Sequence, residues 1–109
     1  MMPAKWEVWL VDMPFEEGIN SKIRPALVID PQQNFIVVGK MTSHPPRENF
    51  QDEYQMIDWE GAGLIKETTL RLSHLVRLNP SSFIICLGKV QPEDQIKIRK
   101  ILEKKEINI

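Results

Sequence analysis

Two apolar runs joined by a short polar turn dominate the first half of the chain. The first is Lys22-Ile23-Arg24-Pro25-Ala26-Leu27-Val28-Ile29-Asp30, and the second runs from Asn34 to Met41 and ends in Thr42-Ser43. Both are rich in residues that suit a pleated surface, and Pro31-Gln32-Gln33 between them is a turn in which proline sets φ. The pattern predicts a β-hairpin. With the reversal centred on Gln32 and Gln33, opposed residue numbers sum to about 65, so Arg24 faces Met41 and Thr42 follows. A cation and a hydroxyl then meet at the open end of the hairpin, an arrangement suited to phosphate. In a hairpin taken alone, an exposed strand-end arginine beside a turn threonine is the commoner finding. Pro25 lacks a backbone donor and holds Arg24 extended, which marks it as the first residue of its strand.

The same patterning places the other elements. Trp6 to Asp12 reads as a strand covered on both faces and ended by Pro14. Residues 14 to 21 (PFEEGINS) form a loop expected to overhang the Arg24 end. A second loop at that end runs from His44 to Gln51, because Pro45 and Pro46 remove two successive donors. Glu53 to Trp59, Thr68 to Leu72 and Phe83 to Val90 read as further strands, interrupted by Gly61-Ala62-Gly63 and Asn79-Pro80-Ser81-Ser82. Thr69 and Arg71 share one strand face. About five to seven short strands at close spacing give a mainly β fold, a small barrel. From Pro92 the period changes to that of a helix, with Ile98, Ile101 and Leu102 on one face, running to about Lys105. Pro92 suits the first helical position, and Glu93 and Asp94 suit the positive end of the helix dipole.

The length of 109 residues allows one domain, residues 1–109, whose active site must be shallow or shared. The 42% hydrophobic and 27% charged fractions exclude disordered and collagen-like classes. No apolar run reaches membrane length and the N-terminus lacks a signal-peptide core, so no membrane is expected and the cytoplasm is the default location. Cys86 lies in an apolar run and is expected to be a small buried hydrophobe. A net charge of −1 argues against a surface that is basic throughout but leaves room for a local basic groove. The cations of the terminal helix alternate with Glu93, Asp94, Glu103 and Glu106 and read as a solvated face.

His44, His74 and Cys86 stand alone, so no metal site is expected, and without a glycine-rich phosphate loop no nucleotide cofactor is expected either. Glu16-Glu17 and Asp52-Glu53 fall in polar stretches and read as solvated pairs. His44, next to Thr42-Ser43, is the titratable group suited to proton transfer near neutrality. Before Pro45-Pro46 it is equally at home as a polar loop residue.

Taken in order, WLVDMPF, SKIRPALVI, a strand ending MTSH, GLIKETTLRL and LGKVQPED closely resemble the MazF/PemK family of toxin ribonucleases, from about Trp6 to Leu102. RPALVI followed by a strand ending in Thr-Ser is the specific part. The resemblance implies an SH3-like barrel with a C-terminal helix, a homodimer that cleaves single-stranded RNA without metal, and neutralisation by an acidic antitoxin. It implies contact with DNA only through that antitoxin.

Arg24 matches the family's motif arginine, Thr42 its active-site threonine, and Arg71 the second arginine of the PemK branch. Two departures stand out. Ser73 occupies the place of that branch's aspartate, and Gly18 is followed by Ile19 and Asn20 where other members have a glutamate.

In such a mechanism the substrate's 2′-hydroxyl attacks. Arg24 would neutralise the phosphorane, Thr42 with Ser43 would donate to a phosphate oxygen, and His44 would serve as base or acid. Lys22, Arg47 and Arg71 would bind the RNA, with Phe15 or Phe50 as stacking platforms. The alternative is a non-enzymatic module of the same fold that binds a protein target or the antitoxin, with catalysis weakened or lost.

Overall fold

The computed structural model describes residues 2–14 and 20–107. Phe15 and most of the loop expected over residues 14 to 21 lie outside the described residues. The strands are β1 (Glu7–Pro14), β2 (Ser21–Pro31), β3 (Ile36–Thr42), β4 (Glu53–Gln55), β5 (Thr69–Leu78) and β6 (Phe83–Lys89), followed by helix α1 (Pro92–Lys104). They form one antiparallel sheet in the order β4-β5-β3-β2-β1-β6. This is the mainly β architecture with a C-terminal helix that the patterning predicts. No helix among the described residues is long and apolar enough to cross a membrane.

Both faces of the sheet are covered, so alternate residues of the central strands fall into two cores. Leu27 and Ile29 of β2 pack with Val8, Met41, Leu70 and Leu72, closed over by Ile98 and Leu102 of α1. Ala26 and Val28 pack on the other side with Trp9, Val11, Ile36 and Val38. This explains the unbroken apolar run of β2, whose residues 26 to 29 are all buried.

The hairpin forms, but in a different register. Gln32 donates its backbone N–H to the Phe35 carbonyl, so the reversal is centred on Gln33 and Asn34, one residue later than the proline suggests. A bulge at Ile29 then shifts the pairing again, leaving Ala26 opposite Lys40. Continued past that last pair, the register brings Arg24 level with Thr42 rather than Met41. Pro25 is not a strand start either. β2 begins at Ser21, and Pro25 pairs with Leu10 of β1. It lies just beyond the last β2–β3 pair, where β2 is an edge on that side and a missing donor is tolerated.

β4 is shorter and β5 longer than the pattern predicts. β4 stops at Gln55 because the next backbone donors are used elsewhere: Met56 donates to the Thr68 carbonyl, and Ile57 and Asp58 donate to the Asp94 carboxylate. β5 does not stop at Leu72. Its partner on β3 jumps from Leu75 opposite Gly39 to Arg71 opposite Lys40, so residues 72–74 bulge out and the strand resumes. At this bend Gly39 packs closely on the core, where a Cβ would meet Leu70 Cδ1 at 3.0 Å.

The gap between the two sheet edges is closed by the turn after β4. A Cβ on Gly63 would lie 2.1 Å from the Leu87 carbonyl oxygen, and one on Gly88 would lie 2.5 Å from the Ala62 carbonyl oxygen. Turn and β6 therefore touch backbone to backbone. Cys86, expected in the core, is exposed on this edge strand with Ile84 and Ile85. The run is apolar, but its outward face has no neighbouring layer. Burial of its surroundings still pushes the Cys86 thiol pKa up.

Candidate active site

At the mouth between the open end of the β2–β3 hairpin and the 63–66 turn segment lies a cavity of about 630 Å³. β1 and β6 supply its apolar wall through Leu10 and Leu87, and β2 supplies Lys22, Ile23, Arg24 and Pro25. The end of β3 and the residues after it contribute Met41, Thr42, Ser43 and His44, and β5 contributes Arg71. Arg24, Thr42 and Arg71 sit on strands whose ladders run back into the core, while Ser43 and His44 follow directly after β3. Among the described residues lining the cavity none is acidic, whereas Lys22, Arg24, Lys66 and Arg71 are cationic. In a chain of net charge −1 this segregation builds a site for an anion.

The cavity gathers six of the seven site residues read from the sequence. Arg24 is half-buried and, among the described residues, has no carboxylate within ion-pair distance. None of the described residues occupies its fork of donors. The Thr42 hydroxyl accepts the backbone N–H of His44 at 3.3 Å, which turns the chain outward after β3. Accepting a bond uses a lone pair and leaves the hydroxyl proton available to donate. His44 is exposed at the rim.

Arg47, the seventh, does not line the cavity. Its backbone N–H donates to Glu53 Oε1 at 2.9 Å, and its Nε and Nη2 donate to Glu53 Oε2 at 3.1 and 2.6 Å. Its guanidinium lies 3.5 Å from the centre of the Phe50 ring, so the arginine already covers one face of the aromatic nominated as a base platform. Glu53 is correspondingly not a solvated carboxylate. Its side chain is 1% exposed, and the hydrogen bonds from Arg47 hold its carboxyl below the usual range against the opposing effect of burial. Asp52 pairs with Lys105 at 3.1 Å.

Sequence reasoning missed Lys66 and Thr68, because nothing in a turn sequence says that it will fold over a distant hairpin. Thr68 is buried and donates its hydroxyl to the Lys66 carbonyl at 2.9 Å, which fixes that segment as a wall. A cue was present in Gly61 and Gly63, whose spacing marks a tight turn.

No family model and no curated sequence matches the chain. Solved structures do. An endoribonuclease from a mycobacterial species in complex with its cognate antitoxin superposes with a TM-score of 0.71 at 16% identity, covering 94% of this chain and 92% of that one. The MazF of a MazE–MazF structure from Deinococcus radiodurans gives 0.68 at 18% identity, covering 99% of both chains. This chain has the MazF fold. Another mycobacterial endoribonuclease gives 0.70 at 14% identity and covers the whole of this chain. The MazF fold thus accounts for the entire length, including the C-terminal helix. At such identities the likeness lies in the backbone, and the side chains that fill the cavity of this MazF fold are this chain's own.

Proposed function

We propose that the protein is the toxin of a toxin–antitoxin pair and cleaves single-stranded RNA by attack of the substrate's own 2′-hydroxyl. The observation that carries this reading is the acid-free cavity, in which Arg24 and Arg71 share one mouth with Thr42, Ser43 and His44. The MazF fold supports it. The 2′-hydroxyl loses its proton to His44 or to water, its oxygen bonds to phosphorus, and the 5′-oxygen leaves with a proton, giving a 2′,3′-cyclic phosphate. Arg24 neutralises the pentacoordinate phosphorane with two parallel N–H donors. Thr42 donates to a non-bridging oxygen, with Ser43 beside it, while Lys22 and Arg71 hold neighbouring phosphates. Duplex RNA is refused because its bases cannot splay across so shallow a mouth.

In this reading the active form is a symmetric dimer with RNA lying across two cavities, working in the cytoplasm. Its inhibitor is an acidic segment that folds into the same cationic site and competes with RNA. The solved endoribonuclease–antitoxin and MazE–MazF complexes support a partner of this kind.

The decisive experiment is incubation of the purified protein with single-stranded RNA in EDTA. Cleavage with a cyclic phosphate on one product is expected, and cleavage that requires added magnesium or manganese overturns the mechanism. A protein that leaves RNA intact yet binds an acidic antitoxin is instead the non-enzymatic module.

A further inference from the structure

Among the described residues, Arg71 is the cavity cation that touches a carboxylate. Glu53 of β4 and Arg71 of β5 are directly opposed in the ladder, and Arg71 Nε lies 3.4 Å from Glu53 Oε2. The geometry is informative because Glu53 does not depend on Arg71. Its Oε1 accepts the Arg47 backbone N–H and its Oε2 accepts both guanidinium bonds from Arg47, so the buried carboxylate is already paired and satisfied. Arg71 is the dependent partner. Its Nε is buried and has no hydrogen-bond partner among the described residues, although the side chain is 24% exposed and lines the cavity.

A guanidinium is planar, so holding its Nε edge 3.4 Å from Glu53 Oε2 restricts where the terminal N–H groups lie. Nε and Oε2 lie within ion-pair distance without forming a hydrogen bond, and poorly aligned contacts of this kind in active sites often tighten only in the substrate complex. The geometry points to Glu53 as a positioning residue for Arg71: buried and saturated by Arg47, it anchors the guanidinium by its Nε and presents the terminal N–H groups to a phosphate in the cavity. Arg47 then acts through Glu53 and ties the 44–51 loop to the same anchor. This rests on the RNA reading of the cavity.

The test is a double-mutant cycle with wild type, Glu53→Gln, Arg71→Ala and the combination, read by steady-state cleavage of single-stranded RNA in EDTA. Binding of a 2′-O-methyl oligonucleotide, thermal melting and the Arg71 Nε–Hε resonance are followed in parallel. Glu53→Gln should lower kcat roughly tenfold to a hundredfold, as a misplaced group does, with a smaller change in KM. It should have no further effect once Arg71 is alanine. The Hε resonance should shift in Glu53→Gln, because the carboxylate charge 3.4 Å from Nε is removed.

Equal losses in both backgrounds, or an unchanged Hε signal, overturn the inference and leave Glu53 a purely structural residue. Should Glu53→Gln melt below the assay temperature, Glu53→Asp, which keeps the charge but shortens the reach, takes its place with the same criteria. A wild type that neither cleaves nor binds RNA defeats the RNA reading instead. The response of the Arg71 Hε signal to inorganic phosphate, in wild type and Glu53→Gln, then decides the positioning role by itself.

Discussion

Tyr54 on β4 donates its hydroxyl to Asp94 Oδ1 at 2.5 Å, joining two residues 40 positions apart in sequence. Asp94 is the third residue of α1 and is fully buried. Its carboxylate also accepts the backbone N–H of Ile57 at 2.9 Å and of Asp58 at 2.8 Å, and it sits at the positive end of the helix. One side chain therefore locks α1 to the segment that leads into the cavity wall.

Removing that lock should be costly. Asp94→Ala leaves a phenol and two backbone donors without their acceptor and should destabilise the fold by about 3 kcal/mol or more. Tyr54→Phe, which removes one bond to a charged acceptor, should cost about 1.5 to 3 kcal/mol. Urea unfolding checks both, with an unchanged m-value showing that stability alone has shifted.

The two ends of the pH scale should expose two different groups. Burial, then the hydrogen bond and charge of Asp94, raise the Tyr54 pKa above its ordinary 10.0. Its contribution is complete below pH 10.0 and is lost as the pH climbs towards the raised folded-state value, so wild type should lose stability there relative to Tyr54→Phe. Glu53 behaves in the opposite sense, its pKa lowered from 4.5 chiefly by the Arg47 hydrogen bonds. Its contribution is complete above 4.5 and fades as the pH falls through the lower folded-state value. The stability difference between wild type and Glu53→Gln, measured by denaturant at a series of pH values, should hold above pH 4.5 and shrink as the pH falls below it.

Gly63→Ala should damage both fold and site. Gly63 has φ +90, and an added Cβ would lie 2.1 Å from the Leu87 carbonyl oxygen. The turn must lift away from β6, which should cost at least about 2 kcal/mol. It should also open the wall that carries Lys66. Thermal unfolding and cleavage rate should fall together, whereas Gly61→Ala, which meets only the Asp58 side chain, should be milder.

Arg24→Ala should lower the cleavage rate by about two to three orders of magnitude, the scale of one lost donor to a developing charge. Folding should survive, since Arg24 is only half-buried and free of ion pairs among the described residues. Thr42→Val should cost less. In salt titrations of RNA binding, Arg24→Ala should reduce the slope by about 0.7, the value for one phosphate contact on a single strand. Arg47→Ala removes no direct cavity contact and should act only through Glu53, changing the slope by less than Arg24→Ala does. Normal cleavage by both cavity variants would place the chemistry elsewhere.

The sequence by itself determined the elements whose signals are local. Alternation and β-branched residues located all six strands, four of them close to their observed extent, and the change of period at Pro92 placed the helix. Arg24, Thr42, Ser43 and His44 could be grouped because a hairpin brings its two open ends together whichever way its register falls by one. What only the tertiary structure decided depends on partners far along the chain. A bulge at Ile29 and a turn displaced to Gln33 and Asn34 set the register, and the excursion at residues 72–74 carried β5 onward past polar residues that looked like its end. Glu53 became a buried anchor rather than a solvated acid because β4 was laid against β5 and Arg47 was folded over it. Cys86 stayed exposed although its neighbours are apolar, since β6 is an edge. Composition and period report what a segment prefers, but burial and charge pairing are properties of the neighbours a segment acquires on folding.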